Sequence, residues 1–139
     1  MILVDTNVVS ETMRRMPDPR VVTWLDAQRR EMLHLSTISL AELLLGIAVL
    51  PDGQRKRDLE RALRERAVPL FGERLLGFDE AAAIAFADIV GRTRRAGFTI
   101  GMADGQIAAT AAARGLIVAT RDTGPFVAAG LPVINPWEG

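Results

Sequence analysis

The sequence contains no cysteine and no tyrosine, and it has a single histidine, His34. Without cysteine the chain cannot form a disulfide, a thiolate metal site or a cysteine nucleophile. One histidine excludes histidine-rich zinc sites. A Ser-His-Asp triad would have to use His34, which lies in the apolar run 32–35 and is interpreted as structural. If the chain is an enzyme, its catalytic groups are therefore expected to be carboxylates, which usually work through a hard metal ion.

The sequence also lacks an excess of charge and any long apolar run. No uninterrupted stretch reaches the about 18 apolar residues of a membrane span, and the N-terminus lacks the basic region of a signal peptide. We therefore expect a cytoplasmic protein that does not contact membranes. The 17 basic residues balance the 17 acidic ones, so strong non-specific attraction to nucleic acid is not expected. All basic residues except Lys56 are arginines, which can still form a local phosphate-binding patch or a solvated surface.

Short apolar segments alternate with longer helical patterns along the chain. Strands are predicted at 2–4, 32–36, 116–119 and 132–134, and helices over 8–15, 20–30, 39–50, 54–67, 79–96 and 101–114. The pattern of residues 70–78 is ambiguous. Strands separated by helices are typical of α/β folds, and we predict a three-layer α/β/α sandwich with a mainly parallel central sheet. No repeat or linker interrupts the chain, which indicates a single domain, 1–139.

Four acidic residues occupy positions where an open α/β fold places its active site, beyond the carboxyl ends of the strands. Asp5 and Asp122 follow predicted strands, whereas Glu42 and Asp104 lie in the first turns of helices. The connections between strands and helices should bring all four to the same edge of the sheet. Their positions therefore predict a cluster of carboxylates.

Each acid also has a purely structural explanation, because acids favour helix N-termini. Asp5 could cap the helix that starts near residue 8, and Asp122 could cap a short turn. Asp104 could be a first-turn acid favoured by the helix dipole. Ser39 and Glu42 have the spacing of a capping box, in which the glutamate reaches back to the serine amide.

The apolar surroundings of Glu42 and Asp104 favour the cluster over these explanations. Three leucines follow Glu42, so we expect it to be poorly solvated. Converging buried acids would repel one another, and a cation removes that penalty. Oxygen ligands without nitrogen or sulfur suit Mg²⁺ or Mn²⁺. Gly101 and Gly105 flank Asp104 and either let an ion or phosphate approach or permit close helix packing.

The order of several motifs resembles that of PIN-domain nucleases, specifically the toxins of VapBC-type toxin–antitoxin pairs and their FitB-like branch. The segments that carry the resemblance are MILVDTN (1–7), STISLAEL (36–43), FDE (78–80), ADGQIAATA (103–111), VATRDT (118–123) and the closing NPW (135–137). Each segment alone is weakly specific, whereas their ordered set is specific and covers essentially the whole chain.

This resemblance implies a PIN-like fold and metal-assisted hydrolysis of RNA phosphodiesters, with Mg²⁺ as cofactor and Mn²⁺ as a substitute. The acids of the family fall on four residues, Asp5, Glu42, Asp104 and Asp122. Asp5 and Asp104 would hold one ion, and Glu42 and Asp122 a second ion or its waters. Thr6, Asn7 and Thr120 fall on positions beside the site, where they would contact the substrate. From its place next to Asp122, we also interpret Arg121 as a phosphate contact, with the arginines at 92, 94 and 95 as weaker candidates.

The predicted helix 39–50 carries apolar residues on nearly every face, which indicates a partner surface as well as a core. The surplus face could serve a homodimer, or a groove completed by the helix 54–67, although the whole helix could also be core. The resemblance implies an antitoxin in that groove, inserting a basic residue towards the carboxylates. It also implies homodimerisation, and DNA binding only through the antitoxin.

Three rival functions are weighed against the nuclease. A phosphoacceptor domain of the receiver type needs a lysine after a late strand, but Lys56 lies in a charged helix in mid-chain. Acyl-phosphate chemistry of the haloacid-dehalogenase kind needs a second acid two residues after Asp5, where this chain has Asn7. A catalytically silent PIN-like binding module, which regulates through its partner, stays open as the alternative.

Overall fold

The computed structural model describes residues 1–138, so the predicted domain 1–139 extends one residue beyond the described part. The strands are β1 (Ile2–Val4), β2 (Leu33–Ser36), β3 (Leu75–Leu76), β4 (Ile117–Ala119) and β5 (Val133–Ile134). They form one sheet in the order β3-β2-β1-β4-β5, and every neighbouring pair is parallel. The mainly parallel sheet predicted from the sequence is confirmed.

Helices connect the strands and cover both faces of the sheet. They are α1 (Thr6–Thr12), α2 (Pro19–Asp26), α3 (Thr37–Ala48), α4 (Gln54–Ala62), α5 (Val68–Phe71), α6 (Glu80–Arg95), α7 (Met102–Arg114) and α8 (Gly124–Ala128). A 3₁₀ turn, Arg30–Met32, precedes β2, and a π turn, Leu63–Ala67, joins α4 to α5. Over residues 1–138, no helix is long and apolar enough to cross a membrane.

Alternating side chains of the strands build two separate cores. Ile2 and Val4 of β1 point into a core shared with α1 to α5, whereas Leu3 points into a core shared with α6, α7 and α8. This alternation is the two-residue period of a β-strand that is covered on both faces. The predicted three-layer α/β/α sandwich is therefore confirmed.

The structure differs from the prediction at several element boundaries. The first helix was predicted over 8–15, but α1 begins at Thr6 because Asp5 caps it directly. The ambiguous residues 70–78 contain the end of α5 and the two-residue strand β3. The short helix α8 was not predicted, since five residues are too few to show a helical period.

The charged helix predicted over 54–67 continues to Phe71 through the π turn. Pro69 lacks an N–H and cannot make the usual helical hydrogen bond. The preceding turn is widened so that the Val68 N–H donates to the Leu63 carbonyl, five residues back. Gly72 then ends the helix with a φ of +56°, a backbone conformation that glycine adopts readily.

Candidate active site

Asp5 and the loop after β4 meet because β1 and β4 are neighbouring parallel strands. Val4 lies opposite Ala119 in the register of the two strands, and the Asp5 amide donates a 2.9 Å hydrogen bond to the Ala119 carbonyl. The residues that follow these two strands therefore lie side by side at the carboxyl edge of the sheet. The first turns of α1, α3 and α7 lie at the same edge.

The Asp5 carboxylate is buried, with 4% of the residue exposed. Its Oδ1 accepts a hydrogen bond from the Thr6 amide, and its Oδ2 accepts one from the Thr120 hydroxyl, each at 2.8 Å. Burial raises the pKa of Asp5 to about 6, while these two hydrogen bonds lower it and the charges of Asp104 and Glu42 raise it further. Asp5 thus caps α1, as its structural explanation predicts, and also faces other acids.

Thr120 is a fully buried hydroxyl at the centre of a small network. It donates to Asp5 and accepts from the Asn7 side-chain amide at 3.2 Å and from the Asp122 backbone amide at 3.1 Å. The Asn7 oxygen in turn accepts from the Arg121 amide at 3.3 Å. These bonds fix the loop that carries Asp122 against the first turn of α1, so Asn7 and Thr120 hold the edge of the site together.

Asp104 and Glu42 approach the same edge from α7 and α3. Asp104 is half-buried in the first turn of α7, and its pKa is raised, first by burial and then by the charges of Asp122 and Glu42. Glu42 Oε1 accepts a 2.7 Å hydrogen bond from the Thr6 hydroxyl. The structure therefore brings the four acids Asp5, Glu42, Asp104 and Asp122 near enough to act on one another electrostatically.

The expectation that Glu42 is poorly solvated is wrong. We expected the leucines after it to bury it, but Glu42 is exposed, because Leu44 and Leu45 point outward and are themselves 52% and 64% exposed. The capping box with Ser39, which was the structural explanation of Glu42, is not seen. The helix begins earlier, so Ser36 is the cap and its hydroxyl accepts a 2.9 Å hydrogen bond from the Ser39 amide.

The structural explanation of Asp122 as a helix cap is not seen either. The residue at the N-cap of α8 is Thr123, and no side-chain hydrogen bond caps that helix. Asp122 is exposed at the edge of the cluster, where its charge contributes to the raised pKa of Asp104. The Asp122 side chain is therefore open to a ligand from solvent.

The donor chemistry of the cluster suits a hard cation. All four side chains offer carboxylate oxygens, and the raised pKa values of Asp5 and Asp104 show repulsion and desolvation that a cation would relieve. Among residues 1–138, however, no three histidine, cysteine, aspartate or glutamate side chains are already arranged to hold one ion directly. Mg²⁺ keeps several of its own waters and needs only one or two carboxylates, so this arrangement is compatible with it.

Of the two glycines beside Asp104, Gly105 is required for packing. A Cβ at Gly105 would lie 3.0 Å from Phe86 Cε2 and 3.3 Å from Val90 Cγ2, both on α6. A Cβ at Gly101 would meet nothing within 4 Å. The helix-packing explanation therefore applies to Gly105, while the backbone beside Gly101 is open.

A family model described as PIN domain matches residues 2–130 of this chain. The chain belongs to the PIN-domain family. This result confirms the family that the sequence motifs indicate, and the parallel five-stranded sheet between two helical layers is the PIN-like fold expected from them.

Three relatives align with this PIN domain over 138 residues, which is 99% of this chain and 99% of each of theirs. The plasmid stability protein StbB of Pseudomonas syringae pv. tomato is 52% identical. The toxin FitB of Neisseria gonorrhoeae is 50% identical, and the VapC ribonuclease Y4jK of Sinorhizobium fredii is 49% identical.

Solved structures of similar chains superpose over their whole length. The crystal structure of FitAcB from Neisseria gonorrhoeae has a TM-score of 0.94 and 49% sequence identity, and the match covers 100% of both chains. A structure of FitAB bound to an IR36 DNA fragment has a TM-score of 0.92 and 47% identity, covering 99% of this chain and 96% of the other. The arrangement of elements around the carboxylates is thus shared along the full PIN domain.

Arg121 is the basic residue of this PIN domain that lies nearest to the carboxylates in sequence, beside Asp122. Its side chain is exposed, and its guanidinium carbon lies 5.2 Å from the centre of the Trp137 ring. Hydrogen bonds from Arg20 lower the pKa of the partly exposed Asp18 carboxyl, and the charge of Arg121 lowers it a little further. No sequence pattern indicates the contact with Trp137, which lies 16 residues away.

The weaker arginine candidates lie at the end of α6. The Arg92 side chain donates to the Ala129 carbonyl at 3.3 Å and lies 3.7 Å from Asp88. Arg92 therefore has structural partners, while Arg94 and Arg95 are exposed. Within residues 1–138, neither a hydrogen bond nor an ion pair joins these three arginines to the four carboxylates.

A groove of about 1120 Å³ opens beside Glu42, between α1, α3 and α4. Its apolar lining includes Leu43, Ile47 and Leu59, and Arg14 and Arg55 also line it. The groove therefore combines an apolar lining with positive charge, and Thr6 and Glu42 mark where it meets the carboxylates. The second groove wall expected from the helix 54–67 is present.

Proposed function

We propose that this PIN domain is a metal-dependent ribonuclease that acts in the cytoplasm as the toxin of a toxin–antitoxin pair. The observation that carries the proposal is the convergence of four carboxylates at one sheet edge, two of them with raised pKa values. Perturbed carboxylates in such a position are typical of active sites. The names of the relatives, VapC ribonuclease and toxin FitB, support the same assignment.

The cofactor in this proposal is Mg²⁺, for which Mn²⁺ can substitute. Asp5 and Asp104 would hold one ion, and Glu42 and Asp122 would hold a second ion or order its waters. A bound ion of this kind supplies a water of lowered pKa and positive charge beside the reacting phosphate. Oxygen-only ligands are those that both metals prefer.

The residues of the chain itself contribute position and charge. Two hydrogen bonds at 2.8 Å hold the Asp5 carboxylate in one orientation. Arg121 stands next to Asp122 with its guanidinium over Trp137, where it can contact a phosphate of the bound RNA. Water is the nucleophile in this proposal and the 3′-oxygen is the leaving group, so the products should carry a 5′-phosphate and a 3′-hydroxyl. A 2′,3′-cyclic phosphate product would contradict it.

The test is cleavage of labelled single-stranded RNA by the purified protein, freed of any antitoxin, with Mg²⁺ or with EDTA. Asp104→Asn removes one carboxylate charge with almost no change of shape, and Asp26→Asn makes the same change on an exposed residue of α2. We expect cleavage that EDTA and Asp104→Asn abolish and Asp26→Asn leaves unchanged. RNA cleavage that survives EDTA would contradict the role of the metal.

The alternative is a catalytically silent PIN-like module that regulates through its partner. It is favoured by the absence, among residues 1–138, of three carboxylates already arranged to hold one ion. The two functions differ in their response to Mg²⁺. A protein that neither cleaves RNA nor gains thermal stability from Mg²⁺ would support the silent module.

We propose that the occupant of the groove is a helical segment of an antitoxin, which brings apolar residues to Leu43, Ile47 and Leu59. Glu42, at the junction with the site, would receive a basic residue of that segment. The solved relatives include FitAB bound to an IR36 DNA fragment. We propose that this chain contacts DNA only through its antitoxin.

The protein encoded beside this chain is the candidate antitoxin, and calorimetric titration measures its binding. Leu59→Glu places a charge in the groove wall and should weaken binding at least tenfold. Ile84→Glu makes the same kind of change on the exposed side of α6 and should have no effect. Equal affinities for both variants would place the partner outside the groove.

A further inference from the structure

Three hydroxyl groups form a continuous path from the start of α3 to Glu42. The Ser39 amide donates to Ser36 Oγ at 2.9 Å, and Ser36 Oγ lies 3.3 Å from Ser39 Oγ. Ser39 Oγ lies 2.9 Å from Thr6 Oγ1, which lies 2.7 Å from Glu42 Oε1. Both serines are completely buried, and they are two of only three serines in the sequence.

The direction of these hydrogen bonds is determined by Glu42. An ionised carboxylate only accepts, so the single hydroxyl hydrogen of Thr6 points to Glu42. Thr6 Oγ1 must then accept from the Ser39 hydroxyl, and Ser39 Oγ in turn accepts from the Ser36 hydroxyl. Each hydroxyl donates once and accepts once, and every donor points towards Glu42. Hydrogen bonds aligned in this way strengthen one another in a buried setting.

Glu42 needs such support because nothing else holds it in place. It is exposed, and Thr6 is the one hydrogen-bond partner of its carboxylate among residues 1–138. Asp5, by contrast, is buried and accepts two hydrogen bonds of its own. A long exposed side chain samples many rotamers, and a hydrogen bond from a fixed donor reduces that freedom.

We propose that Thr6 and Ser39 are positioning residues, which orient Glu42 towards Asp5 and Asp104 through the chain of hydroxyls. Ser36 has the additional task of capping α3. This inference rests on the proposed function, since it assigns Glu42 to the metal-binding cluster. It adds two hydroxyls that act on the site through Glu42. Mutating a group that orients a metal ligand in this way typically lowers metal affinity or activity by about 10- to 100-fold.

Thr6→Val is the most direct test, because valine keeps the shape of threonine and lacks the hydroxyl. We expect it to lower kcat for RNA cleavage, with a smaller effect on KM, and to weaken Mn²⁺ binding without RNA about 10-fold or more. Thr6→Ser retains the hydroxyl and should restore both values. Thr12→Val makes the same change on α1 at a hydroxyl bonded to the Val9 carbonyl, and should match the wild type.

Ser39→Ala tests the preceding contact in the path, between Ser39 and Thr6. It also provides a second variant if Thr6→Val folds poorly. Its effect should have the same sign as that of Thr6→Val and be smaller. Ser10→Ala, at the one exposed serine, is its control. Wild-type Mn²⁺ affinity in both Thr6→Val and Ser39→Ala would overturn the proposal, as would a Thr6→Ser variant as weak as Thr6→Val.

A double-mutant cycle with Glu42→Gln shows whether Thr6 acts through Glu42. In the Glu42→Gln background, Thr6→Val should no longer change Mn²⁺ affinity, and an undiminished effect would contradict the proposal. If the wild type neither binds metal nor cleaves RNA, the proposed function fails, and the same cycle is read from melting temperatures instead. Non-additive shifts would then support the contact with Glu42, and additive shifts would overturn it.

Discussion

Asp5 combines two tasks that usually fall to different residues. As the N-cap of α1 it accepts a hydrogen bond from the Thr6 amide, which stabilises the helix. As a buried acid near Asp104 and Glu42, it holds a negative charge in surroundings that disfavour it, and its pKa rises to about 6. The charged form therefore costs folding free energy whenever no cation is present.

This cost predicts how the stability of Asp5→Asn, relative to that of wild type, changes with pH in the presence of EDTA. Because its folded-state pKa of about 6 exceeds the ordinary value of 3.8, wild type loses stability as pH rises through this window. Asparagine does not titrate, so the stability of Asp5→Asn relative to wild type should increase by about 2–3 kcal/mol between pH 3.5 and pH 7. Urea denaturation at both pH values measures this increase.

Asp26→Asn, on an exposed residue of α2, controls for the general effect of removing a carboxylate. A relative stability of Asp5→Asn that stays constant from pH 3.5 to pH 7 would show that Asp5 titrates alike in the folded and unfolded chains. The conclusion that the buried Asp5 charge destabilises the folded protein would then be wrong.

Replacing Gly105 and Gly46 by alanine should change the free energy of unfolding in opposite directions. A Cβ at Gly105 meets Phe86 at 3.0 Å, and the ring cannot easily retreat because it packs edge-on against Phe78 at 5.9 Å. Gly105→Ala should therefore lower the free energy of unfolding by about 1–3 kcal/mol. Gly46 lies inside α3 with nothing within 4 Å, so Gly46→Ala should raise it by about 0.5–1 kcal/mol. Chemical denaturation measures the change in free energy of unfolding for each variant. Changes of the same sign in the two variants would contradict the packing argument.

At the scale of elements, a buried glutamate joins α1 to α2. Glu11 is 6% exposed, and its Oε2 accepts a 2.9 Å hydrogen bond from the Asp18 amide. Arg14 lies 3.3 Å from the same carboxylate. Asp18 is itself the N-cap of α2, where it accepts a 2.9 Å hydrogen bond from the Arg20 amide. Glu11 therefore fixes the cap of the next helix.

Glu11→Ala should destabilise the protein by about 1–3 kcal/mol, because it leaves the Asp18 amide without its acceptor. Glu11→Gln keeps an oxygen acceptor and should cost less. Glu31→Ala, at a side chain that is 65% exposed, should change the free energy of unfolding by under about 0.5 kcal/mol. Thermal unfolding of the three variants gives the comparison, and equal losses for the Glu11 and Glu31 variants would contradict the link between α1 and α2.

The elements that the sequence predicted best are those whose signal is local. Strand β1 is a buried apolar run with the predicted bounds, and α7 ends as predicted at Gly115, which has a φ of +66°. The start of α3 was misplaced because Ser36 and Ser39 are both plausible caps, and only packing selects between them. The exposure of Glu42 was misjudged for a similar reason, since composition does not show which leucines face outward.

The positions of the four carboxylates could also be predicted from the sequence, because strand ends and first helical turns are recognisable locally. Their hydrogen-bond partners could not. The Thr6–Glu42 contact joins residues 36 positions apart, and the Thr120–Asp5 contact joins residues 115 apart. Such bonds depend on the order of strands in the sheet, which the spacing of motifs does not determine.

At the scale of the whole molecule, α3 presents three different faces. Ser39, Leu43 and Ile47 are buried on the core side. Glu42 and Gly46 line the groove, and Leu43 and Ile47 also contribute to its lining. The third face carries the exposed side chains Leu44, Leu45 and Val49, at 52%, 64% and 72% exposure. The prediction from the sequence that this helix serves more than the core therefore agrees with the burial of its residues.

Leu44, Leu45 and Val49 are not part of the groove lining, so one helix can serve two contacts at once. Leu45 and Val49 are four residues apart and share one side of the helix, with Leu44 beside them. Clustered exposed apolar side chains are typical of protein interfaces. A second copy of this chain, related by a twofold axis, would bury the same residues on both sides. We expect this face to form the homodimer contact.

Leu45→Arg should therefore convert a dimer into a monomer in sedimentation equilibrium at micromolar concentrations, because it buries two charges that face each other across the axis. Ile84→Arg makes the same substitution at an equally exposed position on α6 and should leave the dimer intact. The monomeric variant should keep its fold, since Leu45 makes no contribution to either core. A wild type that sediments as a monomer, or a dimer that Leu45→Arg leaves unchanged, would assign this apolar face to a different partner or to none.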